Sequence, residues 1–147
     1  GANNMVAQWA GNQDRGFTVF NLTGVIQTSP LNLAGSASAA IATSISFIGT
    51  TTEDNCWFVD SWRLTNTDLG TVGANQTQRS NYLAGAGAGD FKAASSTEGP
   101  ITPAGAGTMS WTSPANDQNL VIAAFIPAAE VAAGATAGWR SLMGVGL

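Results

Sequence analysis

Histidine is absent from the 147-residue sequence, cysteine occurs once, and lysine and arginine together number only five. Each shortage removes a class of chemistry. Without imidazole there is no Ser-His-Asp triad, no Cys-His pair and no histidine-ligated zinc. A lone Cys56 cannot close an internal disulfide. Placed in the apolar run Cys56-Trp57-Phe58-Val59, it reads as a small buried hydrophobe. Five scattered cations and a pI near 4.3 give no electrostatic footprint for nucleic acid. The start of the sequence carries no basic stretch followed by an apolar run, so it does not read as a signal peptide.

Charged residues make up only 10% of the chain, and the net charge is −4. Low charge with five Trp and six Phe argues for a packed domain, because a disordered chain is charged and poor in aromatics. The 44% hydrophobic content is diluted by alanine, which supplies 25 of those 65 residues. Gly, Ala, Ser and Thr together account for 71 positions, while Ile, Leu, Val and Phe supply 30. The length suits one domain with a real core.

Short apolar runs separated by turn residues recur along the chain. Ile41, Thr43, Ile45 and Phe47 alternate with Ala42, Ser44 and Ser46, a period of two that marks a half-buried strand. In 56–64, Cys56, Phe58, Asp60, Trp62 and Leu64 oppose Trp57, Val59, Ser61 and Arg63. Further strands are expected at 4–9, 16–22, 76–83, 91–94, 108–112 and 120–126, about eight in all. Helical periodicity is confined to a short stretch at 128–133. The pattern predicts an all-β, antiparallel β-sandwich over 1–127, followed by an apolar Gly/Ala-rich tail over 128–147. Pro127 cannot continue a central ladder, so the chain is expected to leave the sheet there.

Three blocks carry a family likeness. The stretches 17–32 (FTVFNLTGVIQTSPLN), 74–79 (ANQTQR) and 109–128 (MSWTSPANDQNLVIAAFIPA) occur in this order. They resemble the strand-and-turn motifs of jelly-roll domains in secreted bacterial and bacteriophage structural and surface proteins. The resemblance implies a jelly-roll β-sandwich on a virion or extracellular surface, and it carries over no functional residue. Such domains have several strands ahead of the first block, whereas sixteen residues precede Phe17 here. That difference implies a processed portion, a shortened variant, or a sandwich completed by a neighbour.

Candidate sites are few. Glu53, Asp54 and Asp60 could offer oxygen ligands to Ca²⁺, but their spacing matches no calcium loop. Trp57, Trp62 and Trp111 could stack on sugar rings. Trp57 and Trp62 lie five apart on one strand and so point to opposite faces. If Trp62 faces the core, Trp57 is outward with Val59 and Arg63, and Trp57 with Arg63 forms a candidate sugar or partner patch. Core packing and subunit contact are the plainer readings of the same residues. Lys92, beside Asp90 and Phe91, reads as a solvated surface lysine. The sequons at Asn21 and Asn75 are short matches in a chain rich in Asn and Thr.

A membrane helix over 120–138 would place Glu130 mid-span and would use residues needed for the last strand. The tail is therefore expected to be buried instead, with Trp139, Leu142, Met143, Val145 and Leu147 as candidate interface residues. Together these features predict a non-catalytic structural protein that self-associates as a homo-oligomer or with other subunits of its assembly. It would need no cofactor or metal and would bind no nucleic acid. The alternative is a carbohydrate-binding module that uses an exposed Trp on a polysaccharide, and a lower one is a hydrolase built from carboxylates alone.

Overall fold

The computed structural model describes residues 22–65, 70–84 and 90–128. These residues form six strands and no helix: β1 (Leu31–Thr50), β2 (Cys56–Leu64), β3 (Thr71–Val72), β4 (Thr77–Ala84), β5 (Phe91–Ile101) and β6 (Ala106–Phe125). All pairings are antiparallel. The sheet runs β1-β6-β2-β5-β4, and β3 adds to β6. The fold is thus all-β and antiparallel, as the alternation predicts. The strands expected at 4–9 and 16–22 lie outside the described residues.

The layers arise differently from two separate sheets. β1 and β6 are each 20 residues long and pair along their whole length, from Leu31 with Phe125 to Thr50 with Ala106. Register breaks between Ala39 and Ser44, where Thr112 to Asn116 of β6 lies opposite. There the ribbon folds back. The side chain of Phe47 lies directly against the Cα of Gly35, leaving no room for a Cβ. Twelve extended residues would separate these positions by about 40 Å, so one strand supplies both layers. Pro114 sits within this irregular stretch, where a missing N–H breaks no ladder bond. Runs 108–112 and 120–126, expected as two strands, therefore join in β6 up to Phe125.

The core fills the space between the layers. Trp62 of β2 stacks on Trp111 of β6 with ring centroids 4.9 Å apart and planes 6° from parallel. Phe58, Leu64, Ala94, Met109, Leu120, Ile122, Ala124 and Ile45 complete the buried cluster, with Phe47 partly buried against it. Phe125, expected inside, is only half-buried, because it shares the outward row of Trp57 and Leu31. Phe17 and Phe20 lie outside the described residues. Gly107 meets Phe58 so closely that a Cβ would stand 2.5 Å from its ring. The small-residue composition thus has a packing cause: glycine lets the ribbon's second half close on large aromatics.

β6 ends at Phe125, and the chain beyond it pairs with residues 24–30 instead of continuing the ladder. Ile126 donates its N–H to the carbonyl of Pro30 at 2.9 Å, and Ala128 donates to Gly24 at 2.6 Å. Val25 bridges Pro127 between them. Bonding toward this partner falls to residues 126 and 128, so the missing N–H at Pro127 costs the pairing nothing.

Candidate functional site

Residues at the start of β2 build an open concavity. Asp54 and Asn55 form a turn before the strand, with Asn55 in the left-handed region at φ 62°. Asn residues tolerate this conformation because a short polar side chain can bond locally. Asp54 Oδ1 accepts the Ala104 N–H at 2.6 Å, and Asn55 Oδ1 accepts the Thr102 hydroxyl at 2.5 Å. Both side chains thereby tie the turn to the β5–β6 connection. Next along the chain, Trp57 points outward and is 38% exposed. Its indole lies against Gly99, where an added Cβ would stand 2.8 Å from the ring and φ is +152°. The result is a groove of about 830 Å³ bordered by Trp57, Glu53, Asp54, Asn55, Pro100 and Ile126.

The expected pairing of Trp57 with Arg63 does not occur. Six residues separate them on one strand, about 20 Å. The Arg63 guanidinium carbon lies 5.4 Å from the centroid of the Phe91 ring instead, a cation–π contact. Val59, expected beside them in solvent, is buried between Thr97 of β5 and Ala123 of β6. Trp62 and Trp111 are fully buried and stacked, which removes both as sugar platforms. Cys56 is buried as expected, and burial pushes its thiol pKa up. Lys92 is also buried, correcting the surface reading: it pairs with Leu64 in the ladder and shares that residue's core-facing side. The candidate interface residues Trp139, Leu142, Met143, Val145 and Leu147 lie outside the described residues.

Asp60 belongs to a different site from Glu53 and Asp54. It is 1% exposed on the core side of β2. Its Oδ1 accepts the Ser96 N–H at 2.6 Å. Its Oδ2 accepts the Trp111 Nε1–H at 2.8 Å and the Gln76 amide at 3.3 Å. Gln76 also donates to the Ser96 hydroxyl at 2.6 Å, and its Oε1 accepts the Ser110 N–H at 2.7 Å. The second stacked indole is held similarly: Trp62 Nε1 donates to Gln118 Oε1 at 3.0 Å, and Gln118 donates to the Ala42 carbonyl at 2.5 Å. Burial pushes the Asp60 carboxyl up to about 6, opposed by the bonds from Trp111 and Ser96. Among the described residues, no group of three or more His, Cys, Asp or Glu side chains could hold a metal ion.

This network went unread in the sequence, although its signal was present. Asp60 occupies the core-facing stripe with Cys56, Phe58, Trp62 and Leu64, and a carboxyl on such a stripe demands buried donors. Gln118 holds the equivalent position beside Leu120 and Ile122. The sequon at Asn75 falls on an exposed turn residue with φ 64°. Among the described residues no helix is long and apolar enough to cross a membrane, and 120–125 belongs to β6. No protein-family model, curated protein or solved structure matches the chain.

Proposed function

We propose that this chain is a non-catalytic structural protein that self-associates in a surface assembly, of a virion or an extracellular structure. The observation that carries the reading is β1. Across 20 residues it has no charged side chain and no proline, and β6 is its only strand partner among the described residues. Sheet edges that must stay single are ordinarily short, charged or interrupted by proline. β1 instead displays Leu31, Ile41 and Ile48, the last two 79% and 67% exposed. Such an edge suits backbone pairing with another subunit, and the jelly-roll likeness of the three sequence blocks agrees with this use.

The test places lysine on the outward side of β1. Ser46→Lys and Ile48→Lys alter exposed side chains and should leave the sandwich folded. Analytical ultracentrifugation should find the parent protein in oligomers and the double variant near the monomer mass of 14.9 kDa. A parent chain that remains monomeric at high concentration would refute the proposal.

A further inference from the structure

We propose that the Trp57 groove is a binding site for a neutral oligosaccharide. Three features converge there. The indole of Trp57 is seated on Gly99 and cannot retreat toward the backbone, yet more than a third of its surface stays exposed. Glu53, Asp54 and Asn55 lie exposed around the same groove. Asp54 and Asn55 each use Oδ1 to hold the turn, which fixes in place the carboxylate and the amide that border the groove. Fixed acceptors and donors beside an aromatic ring match a pyranose, whose C–H face packs on the indole while its hydroxyls exchange hydrogen bonds. A groove of about 830 Å³ is within the range of small-ligand sites.

Charge selects among the ligands. Two carboxylates at the lip repel uronates, sulfated glycans and phosphates, whereas neutral hydroxyls donate to them. The same carboxylates disfavour an apolar protein segment, which would bury them without partners. Only the Leu31 end of β1 approaches the groove, whereas Ser46 and Ile48 lie toward the other end of that strand, so substitutions there test the edge without touching the site.

Titration calorimetry of the full chain with cello-, malto-, manno- and chitotetraose tests the site, with tetragalacturonate as the anionic counterpart. At least one neutral tetrasaccharide should bind saturably, and tetragalacturonate should not. Trp57→Ala should weaken that binding about tenfold or more, and Trp57→Phe should weaken it less because a ring remains. Glu53→Gln should extend binding toward the anionic sugar without shifting the melting temperature. The proposal is overturned if no neutral tetrasaccharide binds, or if binding survives Trp57→Ala unchanged. It is equally overturned if Trp57→Ala folds normally but changes the oligomeric mass, which would assign the groove to a subunit contact.

Discussion

Asp60 makes the stability of this protein depend on pH in an unusual direction. Its carboxyl titrates near 6 in the folded chain, against 3.8 for the ordinary group. Between these values the folded state binds a proton that the unfolded chain has released. The stabilisation is therefore fully present below pH 3.8 and is lost as pH rises through 6. A separation of about two pH units between the folded and unfolded titrations corresponds to about 3 kcal/mol. Burial also raises Glu98, whose Oε2 has no hydrogen-bond partner, and it contributes with the same sign. Urea denaturation at pH 4, 5, 6 and 7 should show stability falling across this range. In Asp60→Asn most of that slope should vanish. An unchanged slope would show that Asp60 is not the titrating group.

At the scale of elements, the fold-back of the β1–β6 ribbon has a local cost. Ile41 lies at the break with φ 46°, a left-handed conformation that crowds a β-branched side chain. Its N–H is held by Asp117 Oδ1 at 3.1 Å. With the side chain 79% exposed, replacement removes little packing. Ile41→Gly should therefore raise monomer stability by about 1 kcal/mol, measured by chemical denaturation at low protein concentration. A loss of stability would show that the conformation is unstrained. β2 was readable because Phe58, Trp62 and Leu64 fall in one row, with Ser61 and Arg63 in the other. The first half of β1, LNLAGSASAA, was not: alanine, glycine and serine give no contrast between its faces. β3 is too short to carry a pattern, and Pro114 resembles a turn signal unless the break in the opposing strand is known. Of the candidate site, Trp57 was legible from alternation alone. Its partners Glu53, Asp54 and Gly99 were not, because the turn and the β5–β6 connection meet only in three dimensions.

At the scale of the whole molecule, the proposed assembly has two possible contact regions, the β1 edge and the tail at 138–147. The tail carries Trp139, Leu142, Met143, Val145 and Leu147 and a single charge, Arg140. Hiding such apolar surface favours association by about 25 cal/mol per Å². Deleting 138–147 should leave the melting transition of the sandwich in place and reduce the oligomer, as read by light scattering. If the truncated chain assembles as before, the tail is not a subunit contact.

The position of β6 in the sheet also sets the order in which the protein can be made. β6 contacts β1, β2 and β3, yet it is the last of the six strands to be synthesised. While residues 31–105 emerge from the ribosome, β2, β5 and β4 can pair among themselves, but β1 has no partner strand within them. Leu31 meets Phe125 only after 94 further residues have been added. Closing a loop that long is slow and leaves an uncharged strand available to neighbouring nascent chains. The strand proposed to join finished subunits is thus also the one that must be kept apart during translation. Slow emergence, low expression temperature or a holding chaperone should improve the soluble yield.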